Sequence, residues 1–307
     1  MRNMTAYAAA VLLSVMFCGY AAAESSVGGA FRHTGYGARV WAMGGAGAAI
    51  VDDESAIYWN PAMMAMMTDA VGLSYFNLVK GTTARQSQFA YGRVIQRNES
   101  DGERSTARHV VGLLYTNVYL GINEGNNYSE NLLRLAYAFS PDHFITVAAS
   151  LEGFYSRSSV DNFNAFGSTV DMAIRVNLTR HTTLGIVARN AFSRYSYEDG
   201  TDFTKDRGFT TAIGYTRLRW IRIEGDIWWD YGAVSRAIIG AETSYLLDHL
   251  ALRAGLASLR SEESRTVLYF GLGVRVYRNR INIHYNANLD DEAAFEDTHR
   301  FTLSVML

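Results

Sequence analysis

The stretch Ile221–Tyr231, which reads IRIEGDIWWDY, decides the fold class of this 307-residue chain. Apart from Trp228, its apolar side chains fall on one set of alternate positions, and its charged side chains fall on the other. The first set is Ile221, Ile223, Ile227, Trp229 and Tyr231, and the second is Arg222, Glu224, Asp226 and Asp230. Because successive side chains of a β-strand point to opposite faces, this period of two predicts a strand with one apolar face. In water that face is buried, whereas in a membrane barrel it meets lipid and the polar face lines the lumen.

The same alternation runs from about residue 70 to the last residue, where Arg300–Leu307 repeats it. A soluble β-sandwich or a periplasmic barrel alternates similarly, but rarely carries an apolar side on so many consecutive strands. We predict an all-β fold: a closed antiparallel transmembrane β-barrel of about 14 strands, with an N-terminal plug (hatch) segment in the lumen. The strands are predicted near 70–78, 84–95, 107–118, 131–140, 143–156, 166–178, 182–192, 207–218, 220–231, 234–247, 249–258, 264–277, 279–289 and 298–307.

The connections between these strands divide into two kinds. Polar stretches are predicted as extracellular loops, and shorter ones as tight periplasmic turns, which is the usual asymmetry of such barrels. The predicted loops are 98–103, 124–127, 198–202 and 290–292, and the predicted turns are 141–142, 180–181, 218–219 and 278–279.

The amino terminus predicts export. After a short basic start, Ala6–Phe17 is apolar apart from one serine, and Ala21–Ala23 supplies small residues at a cleavage site. We therefore predict a secretory signal peptide at 1–23, because the apolar run is shorter than the roughly 20 residues of a membrane-spanning helix. Lipidation of Cys18 is disfavoured, since a bulky phenylalanine precedes it. The predicted location is the outer membrane of a Gram-negative-type bacterium.

Composition narrows the partners. The chain has 27 Gly, 19 Tyr, 15 Phe and only 2 Pro, and its formal net charge is −2. Few prolines suit long strands, whose backbone N–H groups must all be paired inside a bilayer. Because no basic cluster stands out, nucleic acid is not a predicted partner. The predicted partner is outer-membrane lipid.

Residues 24–69 do not alternate and are predicted to form the plug of a barrel that comprises 70–307. Within them, Gly37–Ala62 reads GARVWAMGGAGAAIVDDESAIYWNPA. This stretch resembles the amino-terminal signature of the fatty-acid-transporter-like (FadL) outer-membrane family, especially its PorV/PorQ branch. In that signature an arginine before a Met-Gly-Gly turn is followed by an Asp-Asp pair and a Trp-Asn-Pro-Ala motif. The plug or gate motif is thereby assigned to Arg39, Gly44, Gly45, Asp52, Asp53, Ser55, Trp59, Asn60 and Pro61.

Elementary chemistry also accounts for this motif without a ligand. Asp52, Asp53 and Ser55 are predicted to cap a short helix at 54–58, which Asn60-Pro61 ends. Arg39 and the aspartate pair are predicted to bind the plug to the wall through charge-assisted hydrogen bonds. Direct contact with a substrate is the alternative for each residue.

A methionine cluster follows the motif, where the family more usually has glycine and leucine. It is either an apolar helix packed in the barrel or a soft surface for an apolar ligand, since methionine adapts to irregular contacts. The candidate ligand contacts are Met63, Met64, Met66 and Met67.

The polar strand faces carry charges of both signs, which predicts salt bridges among strands and plug in a plugged lumen. The predicted network comprises Arg134, Asp171, Arg175, Arg222, Glu224, Asp226, Arg253 and Arg275. The histidines show no metal-binding spacing, and no Gly-x-Ser-x-Gly elbow is present. We predict no metal, no cofactor and no enzyme activity.

Two functions remain. The resemblance implies passive, plug-gated uptake of a hydrophobic, fatty-acid-like small molecule through a lateral opening in the barrel wall. The alternative is a PorV-like, non-transporting component of a type IX-like protein secretion or surface-attachment system, with secretion-system proteins as partners. A gap in an early strand with an apolar tunnel favours the first, and long apolar extracellular loops favour the second.

Overall fold

The computed structural model describes most of the chain after residue 34. The predicted signal peptide, including Cys18, and the first part of the predicted plug lie outside the described residues. These are 35–78, 83–97, 107–123, 126–159, 164–198, 200, 202–205, 207–218, 220–230, 233–243, 249–260, 264–277, 280–289 and 298–307.

Among the described residues, three short helical segments precede the strands: α1 (Ala38–Trp41), α2 (Ala56–Trp59) and a 3-10 helix (Pro61–Met66). In the described part of the chain, no helix has the length and apolar character needed to cross a membrane. The strands are β1 (Ala70–Asn77), β2 (Arg85–Arg97), β3 (Arg108–Asn123), β4 (Asn126–Ser140), β5 (Ile145–Ser158), β6 (Ala165–Asn177), β7 (Thr182–Tyr197), β8 (Asp202–Phe203), β9 (Gly208–Tyr215), β10 (Ile221–Asp230), β11 (Ala233–Thr243), β12 (Leu250–Leu259), β13 (Arg265–Val276), β14 (Ile281–Leu289) and β15 (His299–Met306).

The strands close into a barrel. Each barrel strand pairs antiparallel with its neighbours along the chain, and β1 pairs with β15 from Ala70↔Met306 to Phe76↔Arg300. The short strand β8 pairs only with β7 and lies outside the ring, which leaves fourteen barrel strands among those described. The predicted fold class is confirmed, and each predicted barrel strand overlaps an observed one.

The two strand faces have opposite chemistry. On β4, Leu133 and Leu135 are 47% and 51% exposed on the outer face, whereas Arg134 between them is 5% exposed inside the barrel. The same alternation places large apolar side chains on the outside of the other barrel strands, such as Leu73 on β1 and Phe301 on β15. The outer wall is therefore an apolar belt, as lipid contact requires.

The barrel has two distinct ends. We call the end that carries the connections 141–144, 178–181, 216–220 and 277–280 the turn end, and the opposite one the loop end. The predicted extracellular loop at 98–103 lies outside the described residues, but β2 ends and β3 begins at the turn end. The flanking strands therefore do not fit a connection on the same side as the other three predicted loops, because an antiparallel barrel sends every second connection to the same end. The loop end instead carries the connection that contains β8.

Candidate functional site: the plug and its seat

The plug, residues 35–69, fills the middle of the lumen with aromatic and aliphatic side chains. Trp59 is central: its Nε1 donates to Tyr36 O at 2.7 Å, and its ring lies 5.7 Å from Trp41 and 6.1 Å from the wall residue Trp228. The wall residue Arg300 places its guanidinium 4.0 Å from the Trp41 ring centroid, within cation–π range. The sequence motif Trp-Asn-Pro-Ala is therefore first of all a packing element.

Glycines on the inner wall allow the plug to approach closely. A Cβ built on Gly185 of β7 would overlap Ala48 O, and one built on Gly255 of β12 would overlap the backbone of Met43 and Gly44. Gly44 and Gly45 themselves have φ of 76° and 93°, a left-handed conformation that favours glycine. These glycines let the plug backbone lie directly on the wall backbone.

Arg39 joins the plug to itself and to the wall. Its Nε and Nη2 donate to the two carboxylate oxygens of Glu242 on β11, at 2.8 and 2.7 Å, and its Nη1 donates to Asp52 and Asp53 at 2.6 and 2.7 Å. Burial alone would lower the pKa of Arg39, but these three carboxylates raise it above its ordinary value. Arg39 is thus a fixed buried cation with bidentate geometry.

The network continues through wall arginines. Arg222 Nη1 lies 2.7 Å from Asp52 Oδ2, and Arg253 Nε donates to Glu242 at 2.6 Å. Burial alone would raise the pKa of Asp52, but Arg39 and Arg222 lower it. Arg253 Nη1 also lies 3.3 Å from His284 Nδ1.

The acidic pair on β10 serves the plug in a different way from that predicted. Glu224 accepts hydrogen bonds from the backbone N–H groups of Ala49 and Ile50 at 2.6 and 3.1 Å, and Asp226 accepts one from Gly47 at 3.3 Å. Both acids are buried. They bind plug amides rather than cations, which satisfies backbone donors in a segment without regular structure.

The helix caps follow the sequence prediction in part. The helix α2 spans Ala56–Trp59, shorter than the predicted 54–58 at its start, and Ser55 is its N-cap without a side-chain cap bond. Asp53 accepts from Ser55 N at 3.0 Å, whereas Asp52 binds arginines instead. Asn60 ends α2 and begins the 3-10 helix at Pro61, where its side chain accepts from Ala62 N at 2.9 Å and donates to Ala48 O at 2.6 Å.

The sequence interpretation missed Glu54, which lies buried where the barrel closes. Its Oε2 accepts a hydrogen bond from Ser304 of β15 at 2.7 Å, and its Oε1 lies 3.5 Å from the Tyr36 hydroxyl. The side chain of Glu54 lies against Gly72 of β1. Burial, helped by the charge of Asp53, raises the pKa of Glu54 from its ordinary 4.5 to about 8. Glu54 is therefore protonated and neutral at pH 7. Its position between Asp53 and Ser55 follows no strand or helix periodicity, so nothing in the sequence indicated that it would be buried.

A second charged cluster lies on the loop-end side of the plug. Arg134 binds Glu152 at 2.8 Å and Asp171 at 2.9 Å, and Lys205 lies 3.3 Å from the other oxygen of Glu152. Nearby, Arg189 donates to the last carbonyls of α2, Tyr58 O at 3.2 Å and Trp59 O at 3.0 Å. This cluster holds the end of α2 against β4–β7.

Two of the predicted network residues donate to amide or hydroxyl groups. Arg275 donates from Nε to Asn282 at 3.2 Å. Arg175 donates to Thr146 at 3.2 Å and to Asn177 at 2.7 Å, both neutral groups. The structure therefore brings most of the predicted luminal residues into two charged clusters and a carboxyl pair that binds amides, and it places Arg175 and Arg275 beside polar side chains of neighbouring strands.

The methionines divide between core and surface. Met63, Met64 and Met67 are buried; Met64 lies against Gly112 and Met67 against Gly92 on the wall. Met66 is 48% exposed and borders cavities at the turn end. Packing explains three of the four side chains, and ligand contact by the cluster stays a prediction.

Cavities flank the plug toward both ends of the barrel. A loop-end cavity of about 60 Å³ is lined by Tyr58, Arg134, Lys205 and neighbouring residues. Two turn-end cavities of about 440 and 380 Å³ lie between plug and wall. On the outer wall, a groove of about 790 Å³ runs over β3–β7. No group of three or more His, Cys, Asp or Glu in the described part of the chain is arranged to hold a metal ion.

No protein-family model matches the chain, and no curated protein matches its sequence. Solved structures do match. The toluene transporter TodX of Pseudomonas putida gives a TM-score of 0.61 at 14% identity, covering 89% of this chain and 99% of that one. The monoaromatic hydrocarbon channel CymD gives 0.63 at 13% identity, with 90% and 97% covered. The toluene transporter TbuX of Ralstonia pickettii gives 0.51 at 13% identity, with 89% and 98% covered.

At these identities the likeness establishes the fold alone. The closed fourteen-stranded barrel with a small helical N-terminal segment is like that of FadL-type outer-membrane barrels. None of the three structures is a PorV- or PorQ-type protein. That branch, and the secretion role that it implies, stay predictions.

Proposed function

We propose that the protein is an outer-membrane barrel for the passive uptake of a hydrophobic small molecule, with its turn end toward the periplasm. The apolar belt supports insertion into a bilayer, and short connections at one end are typical of the periplasmic side. The structural likeness to transporters of aromatic hydrocarbons supports the same class of cargo.

The observation that carries the proposal is the groove on the outer wall. Its lining is rich in apolar and aromatic side chains, including Leu133, Tyr155 and Phe166. At its floor Gly153 contributes no side chain, and a Cβ built there meets nothing closer than Leu133 O at 4.0 Å. Leu132 borders both this groove and the loop-end cavity inside the barrel.

A molecule dissolved in the outer leaflet would thus meet an aromatic groove where one strand thickness separates lipid from lumen. Among the described residues the early strands β1–β5 are paired without a gap, and the plug packs between them and the opposite wall. Passage therefore requires the wall near Gly153 to loosen and the plug to shift. The plug is held by hydrogen bonds, ion pairs and packing, all of which are reversible.

Uptake in cells tests this proposal. The chain is expressed in a Gram-negative host without its own channel for hydrophobic compounds, and initial uptake of radiolabelled toluene and laurate is measured. We expect uptake above the empty-vector rate, and a fall of about 10-fold or more for Gly153→Trp, because the indole fills the groove.

Gly225→Trp is the matched control. Gly225 also faces outward with open space, its built Cβ meeting only Ile238 O at 3.8 Å, but it lies on β10, away from the groove. Equal uptake by cells with and without the protein would overturn the proposal. An equal loss of uptake in Gly153→Trp and Gly225→Trp would show that the groove is not the entry site.

A further inference from the structure

A turn-end cavity of about 380 Å³ combines an apolar floor with a cationic wall. The plug contributes Ile50, Met63 and Met66 to its lining, and Leu218 adds a further apolar side chain. The barrel strands β6, β7 and β10 and the connection after β6 contribute the polar side, which comprises Arg175, Asn177, Arg180, Thr183 and Arg222.

Arg175 is the unusual member of this lining. It is 4% exposed, yet its guanidinium donates only to Thr146 and Asn177, and its buried Nε has no partner. No carboxylate among the described residues lies within ion-pair distance of it. A buried cation without a counter-ion is costly unless the site supplies water or an anion.

The remaining charges make the cavity more positive. Arg180 is exposed in the connection 178–181 and has no partner among the described residues. Arg222 does have a carboxylate, Asp52, but Arg39 binds the same group at 2.6 Å. Asp52 itself lines the cavity, and Arg222 also lies 4.0 Å from Glu242, so the charges of the lining that lack a carboxylate among the described residues are those of Arg175 and Arg180.

We propose that this cavity binds a small amphiphile with a single anionic head group, such as a carboxylate. The head group lies between Arg175 and Arg180, where guanidinium groups form charge-assisted hydrogen bonds with oxyanions. The chain lies on Ile50, Met63 and Met66, whose flexible thioethers adapt to variable apolar shapes. A volume of about 380 Å³ is within the range of small-molecule sites.

The position at the turn end makes this an exit-side site for cargo that has passed the plug. That role rests on the proposed uptake function, whereas binding itself does not.

Binding is measured with the full-length protein in nanodiscs of zwitterionic lipid, using octanoate, octanol and inorganic phosphate as separate probes. Calorimetry gives affinity, and [methyl-¹³C]methionine NMR gives location. Met66 reports on the cavity, and Met172, 38% exposed on the outer wall, reports on partition into the lipid belt. We expect octanoate to bind at least about 10-fold more tightly than octanol or phosphate and to shift Met66 but not Met172.

Variants test the assignment of the head group. R175Q and R180Q are each expected to weaken octanoate binding by about 10-fold, and R180Q changes an exposed turn residue that the fold does not need. R260Q is the control: Arg260 is exposed at the loop end, directly after β12, away from this cavity. Three outcomes would each overturn the proposal. They are equal affinities for octanol and octanoate, phosphate binding without a shift of the Met66 signal, and wild-type octanoate affinity in both R175Q and R180Q.

The two proposals fail separately. If Gly153→Trp abolishes uptake but octanoate still binds, the binding site stands. The same holds if the protein binds octanoate and transports nothing. Uptake of toluene without any octanoate binding would refute the site and leave the uptake proposal standing.

Discussion

At the scale of single residues, Glu54 gives the plug a pH-dependent attachment. The native carboxyl keeps its proton up to about pH 8, whereas the unfolded chain releases it near the ordinary 4.5. Between these values the native state binds more protons, so stability falls as pH rises. We expect the apparent melting temperature to decrease from pH 6 to pH 9, and Glu54→Gln to remove much of that decrease.

Asp202→Asn is the control for this measurement, since Asp202 is exposed on the outer rim and pairs only with neighbouring surface groups. The decrease should persist in that variant. A wild-type slope in Glu54→Gln would show that Glu54 does not hold a proton in the folded protein.

Residue-scale prediction from sequence succeeded where the signal was local. Arg39 and the aspartate pair were predicted to form charge-assisted bonds, and they do meet. The partner Glu242 lies 203 positions away, so only the closed barrel brings it to Arg39. Sequence therefore identified the chemistry of the plug but not its seat on the wall.

At the scale of elements, the plug depends on bare backbone on the wall. In Gly185→Ala the new Cβ overlaps Ala48 O, so the plug must shift or leave its seat. We expect faster proteolysis within residues 35–69 while the barrel stays folded, as shown by its mobility on unheated gels. Gly225→Ala adds the same atom to open outer space and should match the wild type. Equal protease resistance in both variants would contradict a seat made by close backbone approach.

Strands were more predictable than the plug for a physical reason. A period of two is imposed on every barrel strand by lipid on one side and polar lumen on the other, so each ten-residue stretch carries its own signal. The plug has no such constraint: α1 and the 3-10 helix are short, and all their residues except Met66 are buried. The strand β8 has two residues in a polar connection, too few for any pattern.

At the scale of the whole molecule, the central claim is that cargo passes only when the plug moves. Ala38 N donates to Thr302 Oγ1 at 2.8 Å, so these residues lie close enough for a disulfide between plug and wall. Cys18, in the predicted signal peptide, is the only cysteine of the sequence. An Ala38→Cys/Thr302→Cys variant can therefore lock the plug with little competing thiol chemistry.

The matched control locks two wall strands to each other. Ser74 of β1 lies directly opposite Thr302 of β15, with their hydroxyl oxygens 2.6 Å apart. Ser74→Cys/Thr302→Cys therefore ties the same wall position without touching the plug. It accounts for the loss of the Thr302 hydroxyl and for any effect of oxidation.

The most direct measurement is the initial rate of toluene and laurate uptake by cells carrying each cross-linked variant, before and after reduction. The account predicts that the oxidised plug–wall variant takes up neither compound, that reduction restores uptake, and that the wall–wall variant transports in both states. Wild-type uptake through the oxidised plug–wall variant would contradict the account, because cargo would then bypass a fixed plug.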